Sequence, residues 1–344
     1  MFQVSKPMKL ESSDTLQLAE TRVSSGRTLF TVGAAFSRGR QAGILLALLI
    51  TWIVLSLASP YFLTATNISN LALQASVIGI TAAGATLVIL CGEIDVSVGA
   101  MEALSGSVAA YTTIKAGFPL PVGIVAALAV GALVGFINGN LVTRLGLPSF
   151  IVTLGMLGIA QGSALVLTGG TAIYGFPNAF QVIGQGKVTG IPVPVLIAIT
   201  VYLLLWATLR FTRFGFNVYA VGGNTEAARL SGVRPGRVKL AAFMISGLCA
   251  TLAGLILAAR LDAGAGNFGT ADLLNAIAAI VIGGASLFGG VGSVVGTAIG
   301  ILLIGTITNG LDLLNVSTFW QQITIGILII GAITLDRLTK GTRR

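Results

Sequence analysis

Long uncharged stretches alternate with short charged ones along this chain. No Asp, Glu, Lys or Arg occurs between Gln41 and Gly92, which leaves room for two membrane spans of about 20 residues each. The polar run Thr64, Thr66, Asn67, Ser69 and Asn70 divides that stretch, so the pattern predicts spans over 41–60 and 71–91. Further apolar runs predict spans over 96–114, 121–141, 149–167, 191–209, 240–259, 291–309 and 319–335, with a short, glycine-interrupted one over 273–288. Between them lie a polar Gly/Asn/Gln/Thr-rich loop at 169–190, a charged segment at 210–239, and a short polar loop at 260–272. The expected fold is therefore all-α and polytopic, with about ten transmembrane helices. Glycine-rich runs such as Gly283, Gly284, Gly289, Gly290 and Gly292 mark either broken helices at membrane depth or close helix crossings.

Charge placement adds an orientation. With the N-terminus on the cytoplasmic side and the sides alternating, 17 of the 20 Lys and Arg fall in inner segments, and only Lys115, Lys187 and Arg260 fall outside. A missed or extra span would scramble this bias, so it predicts both termini inside. The domains expected are a disordered cytoplasmic tail over 1–40 without a cleavable signal peptide, a transmembrane domain over 41–336 carrying the loop 210–239, and a basic tail over 337–344.

Composition excludes several functions. Hydrophobic residues make up 55% of the chain and charged residues 9%, far below the roughly one quarter charged residues of soluble domains. The net charge of +9 follows the positive-inside pattern, with no aromatic platform beside it, so no nucleic-acid partner is expected. There is no histidine, and the two cysteines, Cys91 and Cys249, sit in apolar runs. A metal-dependent or hydrolytic site, and an enzymatic role, are therefore disfavoured. No GxxxxGK[ST] sequence occurs, so ATP, if used, must be hydrolysed by another subunit.

Three stretches carry candidate chemistry. The first holds Glu93, Asp95, Ser97 and Gly99, where Asp95 and Ser97 suit a helix start and the two acids suit either the mouth of a pathway or a capped interfacial turn. The second is Gly222, Gly223, Asn224, Thr225, Glu226, Ala227, Ala228, Arg229, Leu230, Ser231 and Gly232. Asn224 or Thr225 caps a short helix, Glu226 suits its dipole, and Gly232 stops it. Its small apolar side suits a partner's groove or its own membrane domain. The third is 272–292, with Asn275 and Ser286 among glycines. Glu102, placed by the pattern near the inner end of the third span, is the residue an ion-coupled secondary transporter of a small polar solute would use, the competing reading.

Four ordered segments resemble the permease subunit of ribose-type sugar ABC importers. They are 92–99 (GEIDVSVG, with Glu93 where Gly is usual), 146–155 (GLPSFIVTLG), 222–233 (GGNTEAARLSGV) and 274–292 (LNAIAAIVIGGASLFGGVG, with Asn275 for the usual Asp). The resemblance covers roughly residues 40–335 and implies a fold similar to type II ABC importer permeases in a bacterial inner membrane. It implies a sugar or sugar-like solute moved from periplasm to cytoplasm, two permease copies as a homo- or heterodimer in membrane lipid, and a periplasmic or lipid-anchored solute-binding protein. It also implies a cytoplasmic ABC ATPase that holds the ATP and Mg, with no cofactor in this chain. By the same resemblance, Gly222, Gly223, Asn224, Glu226, Ala227, Ala228, Arg229, Leu230, Ser231 and Gly232 couple to the ATPase, and Glu93, Asp95, Ser97 and Gly99 lie near a cytoplasmic gate.

Overall fold

The computed structural model describes residues 42–341, with side chains to residue 334. The tail expected over 1–40 and residues 342–344 lie outside the described residues. Among the described residues six helices are long and apolar enough to cross a membrane: α2 (Ala65–Leu90), α4 (Leu120–Arg144), α5 (Ser149–Thr168), α7 (Val193–Phe211), α10 (Pro235–Leu261) and α12 (Val294–Leu313). Shorter apolar helices are α1 (Ala42–Ala58), α11 (Asp272–Ile282) and the 318–334 part of α13 (Thr318–Gly341). α3 (Val98–Ala110) continues into a π-helical turn, Tyr111–Lys115. Three short helices, α6 (Asn178–Gln185), α8 (Arg213–Gly223) and α9 (Thr225–Leu230), lie in the polar segments. Two antiparallel two-residue ladders are the strand content among the described residues. β1 (Ile173–Tyr174) pairs with β4 (Ala263–Gly264), and β2 (Lys187–Val188) pairs with β3 (Ile191–Pro192).

α10 organises the bundle. α2, α3 and α4 all lie against it, and glycine lets them come close. On α4, Gly131, Gly135 and Gly139 recur every four residues and so share one face. A Cβ at Gly135 would sit 2.5 Å from the Phe243 carbonyl oxygen, and one at Gly139 would sit 2.7 Å from Leu240 Cδ1. On α2, a Cβ at Gly84 would sit 2.6 Å from Cys249 Cβ. Small residues that admit a neighbouring backbone are the usual means of packing helices in lipid, where no hydrophobic force drives them together. α2 is almost wholly enclosed and α3 is buried on every side, whereas α4, α5 and α7 leave most of their apolar surface open.

Two readings of the hydrophobic pattern change. The polar run 64–70 is not a loop: Thr64 caps α2 by accepting from Asn67 N–H at 3.4 Å, and the rest lies inside the helix. Asn67 is accommodated there because its amide exchanges hydrogen bonds with Asn309 of α12, at 2.9 and 2.8 Å. The expected short span 273–288 is instead an 11-residue helix, α11, followed by an irregular turn. That turn carries positive φ at Gly284, Gly289, Gly290 and Gly292.

Candidate functional site at the basic end of the bundle

Residues 91–97 leave α2 and run, without helix, to α3. Two backbone amides of this passage find their partners on a neighbouring helix. Ile94 N–H donates to Ser149 Oγ at 3.1 Å and Val96 N–H to Thr153 Oγ1 at 3.2 Å, both on α5. Ser149 and Thr153 are four residues apart and so lie on one helix face. Asp95 Oδ1 accepts from Ser97 N–H (3.0 Å) and from the Ser97 hydroxyl (2.6 Å), and Oδ2 accepts from Ser246 Oγ on α10 (3.0 Å). Asn138 Nδ2 of α4 donates to Ser97 Oγ at 3.1 Å. Ser97 is the residue before α3, but its hydroxyl does not cap the helix. Asp95 instead forms an Asx-type turn onto Ser97 N–H.

The two acids of the turn stand apart. Glu93 pairs with Lys239 in the first turns of α10, at 2.5 Å and with both side chains mostly buried. Asp95 contacts Ser246, seven residues further along α10, which is about 10 Å deeper at 1.5 Å of rise per residue. The passage therefore descends into the bundle. Gly99 lies deeper still, and a Cβ there would meet the Gly269 carbonyl oxygen at 2.7 Å.

Three chain breaks meet at the start of that descent. Gly290 N–H donates to the Leu90 carbonyl at the end of α2, at 2.9 Å. Gly222, near the end of α8, packs its bare Cα between them: a Cβ there would collide with Leu90 O and with Gly290 N. A Cβ on Gly289 would lie 2.7 Å from Gly92 Cα and 2.8 Å from Gly222 O, and one on Gly290 would lie 2.7 Å from Gly223 Cα. Tyr219 of α8 donates its hydroxyl to Gly292 O at 3.0 Å. The glycines of the first, third and fourth segments are thus one contact of backbone on backbone, and the second segment supplies Ser149 and Thr153 to the passage beside it.

α9 projects from this knot. Asn224, not Thr225, caps it, accepting Ala227 N–H on Oδ1 at 2.9 Å. The helix ends in a Schellman motif: Val233 N–H bonds Ala228 O (3.1 Å), Gly232 N–H bonds Arg229 O (3.0 Å), and Gly232 takes φ +84°. Gly223, Asn224, Thr225, Glu226, Ala227, Arg229, Leu230, Ser231 and Gly232 are exposed. Ala228 is not: it is buried against the core beneath, so the outward face is Asn224, Ala227, Leu230 and Ser231 with the Glu226–Arg229 ion pair at 2.6 Å. Hydrogen bonding to Arg229 draws the Glu226 carboxyl below its ordinary range. Leu230 is 77% exposed, a large apolar side chain with nothing over it.

Glu102 is not near the end of the bundle. It is buried, its backbone packs on Gly254 of α10, and Thr81 Oγ1 of α2 donates to its Oε1 at 2.5 Å. Gly254 lies fifteen residues along α10 from Lys239, about 22 Å deep by the helical rise. Among the described residues no group of three or more Cys, Asp or Glu is arranged to hold a metal ion.

Sequence reasoning missed Lys239, Ser246, Asn138, Ser149 and Thr153 as members of this site. The last two were legible as polar residues on one face of an apolar span. The α10 partners were not, since nothing local marks a contact 146 residues away in sequence.

Comparison with known proteins bears out the resemblance to sugar ABC importer permeases. A family model described as a branched-chain amino acid transport system permease component matches residues 67–333. The ribose import permease protein of Bacillus subtilis (strain 168) is 43% identical over 300 residues, covering 87% of this chain and 93% of that protein. The corresponding ribose import permease of Escherichia coli (strain K12) is 41% identical over 320 residues, covering 92% and 98%. The D-allose transport system permease protein of Escherichia coli (strain K12) is 43% identical over 283 residues, covering 82% and 87%. These relatives favour the importer reading over the ion-coupled one. With its apolar helices and its four segments joined at one end, this chain belongs to the permease-component family of such transport systems, as a multi-pass inner-membrane transport subunit and not an enzyme.

Proposed function

We propose that this chain is the membrane permease of an ATP-driven ABC importer that moves a pentose- or hexose-type sugar from periplasm to cytoplasm. The observation that carries this is the extent of the likeness: more than two fifths identity over most of both chains to permeases named for ribose and allose. The working unit is two permease copies in the membrane, a separate ATPase holding ATP and Mg, and a solute-binding protein on the far side. The chain itself crosses about ten times with both termini inside. The domain limits are those drawn from the sequence, 1–40, 41–336 and 337–344.

In this reading the basic end faces the cytoplasm and α9 seats in the ATPase. Gly222 and Gly223 carry its movement to the end of α2 and to the 283–292 turn. Glu93, Asp95, Ser97 and Gly99 then form a gate on the inner side. The bonds from Ile94 and Val96 to α5 support the gate, since non-helical backbone at membrane depth persists only where protein or an enclosed cavity satisfies it.

Reconstitution in vesicles with the partner ATPase and binding protein tests the reading. ATP inside is expected to drive uptake of labelled D-ribose, D-allose, D-xylose or L-arabinose. Uptake driven by a proton or sodium gradient, without the ATPase, would sink it. Reporter fusions at the two ends test the topology, and both are expected to read cytoplasmic.

A further inference from the structure

α2 carries a stripe of small residues that its neighbours do not cover. Ala72, Ala75 and Ser76 share one helix face and form the floor of a groove of about 460 Å³. One wall is α7, through Val195, Ile199, Leu203 and Trp206, and the other is the first half of α12, through Val294, Ala298 and Leu302. Along α7 the groove runs eleven residues, from Val195 to Trp206, about 16 Å at the helical rise. Four residues on from Leu302, the same face of α12 is covered: Trp52 of α1 donates to Thr306 Oγ1 at 3.1 Å. Leu302 itself is exposed, so the groove is the part of this face that α1 leaves open.

Both hydroxyls of the lining are engaged or buried. Ser76 Oγ donates to Ala72 O at 2.6 Å within its own helix. Tyr202 shows the groove its ring, with its hydroxyl buried beside Gly79 of α2. A polyhydroxylated solute gains nothing in such a lining. An alkyl chain loses nothing by entering it from bulk lipid, so any preference among lipids must come from the headgroup.

α7 sets the headgroup end. Positions 199, 203, 206 and 210 step along one face of this helix. Arg210 is therefore the next residue of the groove wall, about 6 Å beyond Trp206. It is exposed, and it has no ion pair among the described residues. Trp206 packs edge-on against Phe211, with ring centroids 5.4 Å apart, as aromatic residues do where a span leaves hydrocarbon for headgroups. The groove thus runs from alkyl to indole to guanidinium, in the order of a phospholipid's own parts.

We propose that this groove binds an anionic phospholipid, with one acyl chain laid on Ala72, Ala75 and Ser76 between α7 and α12 and the phosphate at Arg210. Charge decides between this occupant and a second permease copy. A copy inserted the same way round brings its own basic end to the level of Arg210, where like charges repel.

The test uses the full permease chain in phosphatidylcholine vesicles containing a small share of phosphatidylglycerol. Trp52→Phe and Trp320→Phe leave Trp206 as the only indole of the three, and one lipid or the other carries bromine on its acyl chains to quench it. Quenching per brominated lipid is expected to be about fivefold stronger for phosphatidylglycerol, the preference that one arginine gives an anionic headgroup. Arg210→Gln is expected to abolish that preference. Ala298→Phe, or Val295→Phe at the exposed edge, fills the groove, keeps the arginine and is expected to remove most of it. Wild-type permease checks the result without the tryptophan replacements: lipid retained through detergent washing and identified by mass spectrometry is expected to be enriched in phosphatidylglycerol, and no longer so in Arg210→Gln. Equal quenching or equal retention of the two lipids overturns the proposal. A preference that survives filling of the groove also overturns it, because it then belongs to the basic end at large. Cys91 and Cys249 are buried, so a Leu203→Cys that cross-links in the membrane to its counterpart in a second copy assigns the groove to subunit contact instead.

Discussion

Replacing Gly222 by Ala puts a methyl group where three backbones already touch. The methyl would collide with the Leu90 carbonyl and the Gly290 amide, which are bonded to each other at 2.9 Å. Separating them loses a buried backbone hydrogen bond, about 1 kcal/mol net. Moving packed backbone to make room costs about 1–3 kcal/mol more. A destabilisation of about 2–4 kcal/mol follows, against a helix-propensity gain from Gly to Ala below about 1 kcal/mol. The next residue supplies the control, since a Cβ at Gly223 meets nothing within 4 Å. Purified permease in detergent is expected to melt on the order of 5 °C lower as Gly222→Ala, taking about 2 °C per kcal/mol for a large chain. Gly223→Ala is expected to match the wild type or exceed it slightly. Equal melting temperatures for the two variants would refute the argument that the glycine knot is filled.

Other consequences are open to measurement. Asn67→Leu or Asn309→Leu alone is expected to cost about 1–2 kcal/mol by stranding the partner amide between α2 and α12. The double replacement should recover part of it, and a cycle of unfolding measurements that shows simple additivity would count against a reciprocal pair. Ser149→Ala with Thr153→Val leaves the Ile94 and Val96 amides without acceptors, with an expected loss of about 1–3 kcal/mol for each. Denaturant titration checks it, and an unchanged midpoint would mean the passage is held otherwise. Glu226 has a lowered folded carboxyl pKa, so its stabilisation of α9 is fully present above the ordinary carboxylate value and is lost as pH falls through the lowered one. ATPase binding is therefore expected to be flat from about pH 5.5 to 8. A binding step inside that window that vanishes in Glu226→Gln would contradict the assignment. Leu230→Asp is expected to weaken pull-down of the ATPase at least tenfold without altering membrane insertion, whereas Ala228→Asp should harm folding first, because Ala228 is buried.

Much of this was legible in the residues, for physical reasons that differ by element. The spans over 121–141, 149–167, 191–209 and 240–259 appear as α4, α5, α7 and α10 because a helix that crosses a membrane must be apolar along its length whether it faces lipid or other helices. α9 was legible because its cap, charged first turn and stopping glycine are local signals. α8 was legible too, in the Thr212 cap and in Phe214, Val218 and Val221 spaced on one face, but its charged surroundings read as loop. The run 64–70 misled because an Asn reads as loop until a second Asn, 242 residues away, satisfies it. Glu102 misled for a related reason. Counting along the third span puts it near the inner end, but the chain descends through 93–97 before helix begins, so α3 starts deep. Distances along a chain report depth only where the chain is helical.

The glycine contact at the basic end also bears on mechanics. A joint cushioned by long side chains absorbs small displacements by changing rotamers. A joint of bare backbone has no rotamers to change. In the proposed coupling role, a push on α9 leaves Gly222 no slack to spend before the end of α2 and the turn at Gly289 and Gly290 must move as well. The exposed side of α9 would then be free to vary with its partner, while the backbone contact behind it keeps a fixed throw.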